Sequence, residues 1–167
     1  MFFFFSILTK SAFIFTLFRL SDLLVGDFVN CFYSFNLFLI PLLLLTVLFG
    51  TLLVFNENTL QGFLMLASLP QLGYTLLGFL TPDSETRFIS LVYFILYICS
   101  FILLYYVFFL LLGTYTYLNE LSGLFYTNKG TSLIFLAVIG AFSGIPPFAT
   151  FLGKFFLLNS LFITSSL

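Results

Sequence analysis

The sequence contains no histidine, no tryptophan and only two cysteines among 167 residues. Without histidine, the chain lacks the commonest metal ligand and the commonest acid–base side chain at neutral pH. Cys31 and Cys99 are far apart, and their spacing is unlike that of a disulfide framework, a metal site or an iron–sulfur site. We therefore expect no metal in this chain.

Charged residues are also scarce, at 7% of the chain, whereas 62% of the residues are hydrophobic and 22% are aromatic. Soluble domains are about one quarter charged, so this composition excludes a soluble globular domain and indicates membrane lipid as the solvent. The net charge of −1 gives no indication of a nucleic-acid partner. The abundance of Phe, Leu, Ile, Tyr and Asn is typical of AT-rich genomes and favours an organelle-encoded protein.

The few charged residues divide the chain into apolar segments close to the length of about 20 residues that a transmembrane helix needs. We predict an all-α integral membrane protein with a single domain over residues 1–167 and about five transmembrane helices, the last one discontinuous. The predicted spans cover residues 2–20, 36–55, 60–80, 88–113 and 131–165. Residues 21–35 and 114–130 are predicted connections.

The last apolar stretch, residues 131–167, is too long for one straight span. As a helix it would exceed about 50 Å, whereas the hydrocarbon core is about 30 Å thick. Gly144, Pro146 and Pro147 oppose helical continuation near its middle, and Gly153 follows them. We predict a helix broken at these residues; two separate short spans are the alternative.

Two charged residues, Lys10 and Lys154, fall inside predicted spans and away from the span ends. A charge near the bilayer centre costs at least about 2.5 to 3.5 kcal/mol, so such residues usually have a function. Burial disfavours the charged form of an amine, so a buried lysine can exchange a proton when neighbouring charges change. We predict that both lysines relay protons. The alternative is that each pairs with a carboxylate of another subunit or extends to the membrane surface.

Neutral polar residues recur at helical spacing in the third and fourth predicted spans. These residues are Ser68, Gln71 and Thr75 with Tyr74 beside them, and Tyr93, Tyr97 and Ser100. Each set falls on one face of a helix. Such faces could hold water molecules along a polar pathway, or could form hydrogen bonds between packed helices.

The segment SGIPPFATFLGKF, residues 143–155, resembles the broken helix of subunit 2 of respiratory NADH:ubiquinone oxidoreductase, complex I. That subunit belongs to an antiporter-like membrane-arm family. Its double proline and Gly-Lys-Phe ending differ from subunit 4, which carries Gly-Glu-Phe. Three weaker resemblances precede this segment and occur in the same order as in the family. They are Lys10 with Arg19, residues 67–74 and residues 120–124.

The chain departs from the family pattern at three positions. Gln61 and Gly62 stand where the family has a basic pair, and Thr150 replaces a glycine. The resemblance covers the C-terminal part of the subunit, so the chain is expected to be truncated or split. A separate chain is expected to supply the missing N-terminal helices.

The resemblance implies a non-catalytic subunit of a proton-translocating NADH:ubiquinone reductase, in which Lys10 and Lys154 exchange protons. It implies no cofactor and no redox active site in this chain, with NADH, flavin, iron–sulfur clusters and ubiquinone in partner subunits. Other complex I membrane-arm subunits are the expected partners, and the mitochondrial inner membrane is the expected location of this multi-pass protein. Two alternatives remain: a structural scaffold without proton conduction, and a cation/proton antiporter subunit.

Overall fold

The computed structural model describes residues 2–27, 29–111, 117–146 and 148–165, which fold into α-helices and short 3-10 turns. The α-helices are α1 (Phe2–Asp27), α2 (Val29–Asn56), α3 (Leu60–Leu77), α4 (Ser84–Leu111), α5 (Leu124–Thr127), α6 (Lys129–Ser143) and α7 (Ala149–Ser165). The 3-10 turns are Gly78–Leu80 and Leu118–Gly123. The prediction of an all-α fold is confirmed.

Three stretches of the described chain are long and apolar enough to cross a membrane: Leu37–Asn56, Leu60–Leu80 and Ser84–Leu110. They agree with the second, third and fourth predicted spans, although the predicted end of the fourth span at residue 113 lies outside the described residues. The first predicted span is helical within α1, but α1 is not among the three stretches. The shorter apolar helices Lys129–Ser143 and Ala149–Ile163 occupy the region of the fifth span.

The predicted connection over residues 21–35 is wrong, because α1 continues to Asp27 and α2 begins at Val29. A helix tolerates polar residues such as Ser21 and Asp22 where their side chains find partners. The hydroxyl of Ser21 is buried and donates to the Phe18 carbonyl at 2.8 Å. The carboxylate of Asp22 pairs with Arg87 of α4. The polar residues of this segment therefore do not by themselves show where α1 ends.

The predicted interruption of the last helix is confirmed, since α6 ends at Ser143 and α7 begins at Ala149. Gly144 follows α6 with φ of +76°, a left-handed conformation that favours glycine. The N–H groups of Gly144 and Ile145 both donate to the Gly140 carbonyl, at 3.1 and 3.2 Å. This pattern closes the helix as glycine-terminated helices commonly do.

The other predicted break residues lie in different places. Pro146 lies between α6 and α7, and Pro147 lies outside the described residues. The prediction is wrong for Gly153, which lies inside α7. A Cβ atom there would lie 2.9 Å from Cδ2 of Tyr93, so Gly153 permits close packing of α7 on α4 and does not interrupt the helix.

The helix α4 lies at the centre of the packing and contacts α3, α6 and α7. Its buried side chains Phe94, Tyr97, Phe101 and Phe108 recur at helical spacing and form one apolar face. The ring of Phe142 in α6 lies 5.9 Å from the ring of Tyr97 and 5.8 Å from that of Phe101. This aromatic packing fixes the end of α6 against the middle of α4.

Candidate functional site

Lys10 of α1 reaches α3 through its ammonium group. Its Nζ donates a hydrogen bond to the hydroxyl of Ser68, which is completely buried. The same hydroxyl donates to the Met65 carbonyl of its own helix. Lys10 is half-buried, so its head group lies between the surface of the chain and a buried polar atom.

Tyr97 of α4 is the second polar neighbour of this lysine. Its buried side chain lies beside that of Ser68. A cavity of about 10 Å³ lies beside them, lined by Ile7, Lys10, Phe94, Tyr97, Ile98 and Phe101. This volume is at the lower limit of what one water molecule needs.

A second set of contacts joins α4, α3 and α6. The buried hydroxyl of Tyr93 donates to Oε1 of Gln71, which is also buried. Nε2 of Gln71 donates to the Phe142 carbonyl at 3.5 Å. The Gln71 side-chain amide thus accepts a hydrogen bond from α4 and donates one to α6.

Lys154 of α7 lies at the interruption of the last helix. Its Nζ donates to the Ser143 carbonyl at 2.9 Å and lies 4.8 Å from the centre of the Tyr74 ring. The distance to the ring is within the range of a cation–π interaction. Tyr74 in turn packs edge-on against Tyr93, with 6.5 Å between ring centres. Lys154 is therefore next to the contacts that Gln71 and Tyr93 make.

The buried side chains of Ser68, Gln71, Tyr93 and Tyr97 form two rungs between α3 and α4, and we call them the polar ladder. One rung is Ser68 beside Tyr97, and the other is the hydrogen-bonded pair of Gln71 and Tyr93. Lys10 contacts the first rung directly. Tyr74 lies between the second rung and Lys154. The ladder thus joins the surroundings of the two lysines across the packed helices.

Three of the sequence-predicted polar residues, Tyr74, Thr75 and Ser100, are not part of the ladder, and the hydroxyls of Thr75 and Ser100 bond within their own helices. The hydroxyl of Thr75 donates to the Leu72 carbonyl at 2.7 Å, and that of Ser100 donates to the Tyr97 carbonyl at 2.8 Å. Both side chains are buried, and both bonds lie within one helix. Such bonds satisfy a buried hydroxyl without joining two helices.

The sequence analysis did not find the ion pair between Arg87 and Asp22. The Arg87 guanidinium donates to the Asp22 carboxylate and joins α4 to α1. The side chain of Arg87 is only 7% exposed, whereas that of Asp22 is 45% exposed. Both residues lie outside the predicted spans. No spacing signal links two residues that are 65 positions apart.

The arrangement offers hydroxyl, amide and amine groups, which exchange and donate protons. Within residues 2–27, 29–111, 117–146 and 148–165, no three His, Cys, Asp or Glu side chains are grouped as metal ligands. The contacts described above are hydrogen bonds among hydroxyl, amide, carbonyl and amine groups.

Known proteins share this sequence pattern. Residues 1–167 match the profile of a family described as NADH:quinone oxidoreductase/Mrp antiporter, TM. NADH-quinone oxidoreductase subunit N of Azobacteroides pseudotrichonymphae genomovar. CFP2 is 31% identical over 120 residues, which cover 70% of this chain and 25% of that protein. The proteins of the same name from Pelagibacter ubique (strain HTCC1062) and Rickettsia typhi (strain ATCC VR-144 / Wilmington) are 29% and 25% identical, and the matches cover 80% and 92% of this chain.

The chain matches only 25%, 29% and 34% of the length of these three relatives. No solved structure matches it. The family match nevertheless extends over the whole sequence, including both lysines, the polar ladder and the interrupted helix. The chain is therefore a member of the NADH:quinone oxidoreductase/Mrp antiporter transmembrane family.

Proposed function

We propose that the chain is a proton-translocating membrane-arm subunit of an NADH:quinone oxidoreductase, similar to subunit 2 of complex I. The observation that carries the proposal is the polar ladder between Lys10 and Lys154. Buried polar side chains are costly within a membrane protein, and those that pair between helices near ionisable groups are typical of proton pathways. The three relatives named NADH-quinone oxidoreductase subunit N support the assignment to this enzyme.

In this proposal, Lys10 and Lys154 take up and release protons, and the ladder supplies groups that accept and donate hydrogen bonds between them. A hydroxyl or an amide can do both, which an apolar contact cannot. Moving one charge across 100 mV costs about 2.3 kcal/mol, so an energy source is required. We assign that source to redox chemistry in partner subunits, which would hold NADH, flavin, iron–sulfur clusters and ubiquinone.

The partners follow from the same proposal. They are the other membrane-arm subunits of complex I, together with the remainder of the antiporter-like fold. We place the assembly in the mitochondrial inner membrane, because the Phe-rich and Leu-rich composition is typical of organelle-encoded membrane proteins. The chain itself would be a non-catalytic subunit of the enzyme.

A second candidate function, a structural scaffold, is favoured by one observation. Lys154 donates to the carbonyl of Ser143, the last residue of α6, where a cation also interacts favourably with the helix dipole. Such a lysine could simply cap the interrupted helix without exchanging protons. A third candidate, a cation/proton antiporter subunit, is included in the description of the family.

The test is the proton-to-electron ratio of the reconstituted assembly carrying Lys154→Met, with assembly checked independently. The proposal predicts a lower ratio, because methionine roughly preserves the volume of the side chain and removes the exchangeable proton. Lys154→Glu should retain part of the ratio, since the side chain remains ionisable. Lys129→Met is the matched control, because Lys129 is exposed at the start of α6.

An unchanged ratio for Lys154→Met in a fully assembled complex would remove Lys154 from the pathway and favour the scaffold. On the scaffold hypothesis, Lys154→Met removes the donor to the Ser143 carbonyl and lowers stability, and the proton-to-electron ratio does not change. Cation transport without coupling to NADH oxidation would instead favour the antiporter.

A further inference from the structure

The end of α6 leaves three consecutive carbonyl groups, those of Ala141, Phe142 and Ser143, without their usual helical donors. Proline has no N–H, so residues 146 and 147 cannot donate to the carbonyls four positions earlier. The N–H of Ile145 donates to Gly140, at 3.2 Å, instead of Ala141. Unpaired carbonyls inside a membrane protein are costly, so these groups need other donors.

Each of the three carbonyls receives a hydrogen bond from a side chain. The Thr150 hydroxyl donates to Ala141, Nε2 of Gln71 donates to Phe142, and Nζ of Lys154 donates to Ser143. The three donors come from two helices, α3 and α7. The interruption is therefore closed by side chains across its gap.

Thr150 and Lys154 are four residues apart in α7 and so share one face of that helix. They bond carbonyls that are two residues apart in α6. The side chain of Thr150 is short, stiff at χ1 and buried, whereas that of Lys154 is long and only half-buried. A long lysine side chain can place its ammonium in many positions unless the backbone that carries it is held.

The structure assigns Thr150 as a positioning residue for Lys154. Its hydroxyl fixes the first turn of α7 against Ala141, and this contact sets the position from which Lys154 reaches the Ser143 carbonyl and the face of Tyr74. Thr150 does not itself exchange the proton. Its proposed effect on proton transfer rests on the proposed function, whereas its effect on the position of Lys154 does not.

The test compares two substitutions in the assembled complex. Thr150→Val preserves the shape of the side chain and removes the donor, and Thr150→Ser retains the donor. Thr46→Val is the matched control, because the Thr46 hydroxyl donates only within α2, to the Leu43 carbonyl at 2.9 Å. The measurements are the distance from Lys154 Nζ to the Ser143 oxygen in a structure of each variant complex, and the proton-to-electron ratio.

We expect Thr150→Val to lose the contact between Lys154 and Ser143 and to lower the ratio, and Thr150→Ser and Thr46→Val to retain both. A Thr150→Val complex that keeps the contact overturns the inference. A lost contact with an unchanged ratio, where Lys154→Met does lower the ratio, overturns the proposed effect of Thr150 on proton transfer. If Thr150→Val does not assemble, Thr150→Ser decides: retention of assembly and contact supports the inference, and loss of both contradicts it.

The proposed function and this inference fail in different ways. If Lys154→Met leaves the ratio unchanged, the proposed function fails. The distance between Lys154 and Ser143 in the Thr150 variants then still decides whether Thr150 positions the lysine.

Discussion

The two lysines are held by different kinds of acceptor. Lys10 donates to a side chain, the Ser68 hydroxyl, whereas Lys154 donates to a main-chain carbonyl at the end of a helix. Lys154 also faces an aromatic ring, and Lys10 faces a small cavity lined largely by apolar side chains. One site thus depends on the residue type at one position of α3, and the other depends on the path of the backbone at the interruption.

This difference has a chemical consequence. A hydroxyl accepts and donates, so the contact between Lys10 and Ser68 can reverse direction when the amine is neutral. A carbonyl only accepts, so the contact between Lys154 and Ser143 loses its charge assistance when the proton leaves. Substitutions should therefore separate the two sites, and double-mutant cycles with Lys10→Met and Lys154→Met can measure that separation.

The largest effect is expected from Gly144→Ala. A residue other than glycine in the left-handed conformation costs about 1–2 kcal/mol. The added Cβ would also lie 3.2 Å from Nζ of Lys154 and 3.3 Å from its Cδ and Cε atoms. We expect a loss of about 1–2 kcal/mol in the free energy of unfolding, together with a lower proton-to-electron ratio.

Gly130→Ala is the matched control, because no atom lies within 4 Å of a Cβ at that position. It should leave the ratio unchanged and alter the free energy of unfolding by less than about 1 kcal/mol. In the Lys154→Met background, Gly144→Ala should cost less than in the wild type, since the charged head group is gone. Equal costs in both backgrounds would show that Gly144 acts on the backbone alone.

A smaller effect is expected from Ser68→Ala, which removes the acceptor of Lys10. Hydrogen bonds between helices in membrane proteins contribute about 1 kcal/mol, so we expect a loss of that order and a lower ratio. Ser143→Ala should have a smaller effect, because the Ser143 hydroxyl donates to Gly140 of its own helix and the bond to Lys154 uses the carbonyl.

The cycle for Ser68→Ala sharpens the comparison. The loss in free energy of unfolding caused by Ser68→Ala should be non-additive with that of Lys10→Met. It should be additive within about 0.5 kcal/mol with that of Lys154→Met. If Ser143→Ala lowers the ratio more than Ser68→Ala does, the distinction between a side-chain acceptor and a main-chain acceptor is wrong.

Local chemistry explains which features could be predicted from the sequence. The residues Gly144, Pro146 and Pro147 act on their own backbone, and the spacing of Ser68 and Gln71 places both on one face of any helix. These features need no knowledge of distant residues. They predicted the interruption of the last helix and the shared face of α3, and the predicted roles of the lysines remain predictions.

Features that depend on residues far apart in sequence could not be predicted. Arg87 meets Asp22 only once α1 packs beside α4, and the Thr150 hydroxyl meets the Ala141 carbonyl only once α7 packs against α6. Gly153 is a residue type that often ends helices, but here it lies within α7 and gives room to the Tyr93 ring opposite it. In each case the partner, and not the residue itself, determines the role.

The smallest effect is expected at Tyr74, whose ring faces Lys154 but does not contribute a hydrogen bond to it. Tyr74→Phe keeps the ring and should change the ratio little, whereas Tyr74→Leu removes the cation–π interaction between half-buried groups, at a cost of about 0.5–1 kcal/mol. Tyr106→Leu is the control, because the Tyr106 side chain is exposed on α4. The measurement is the free energy of unfolding in double-mutant cycles. Tyr74→Leu should be non-additive with Lys154→Met and additive with Lys10→Met; equal coupling to both lysines would mean that the two sites respond as one, and the contrast between them would not hold.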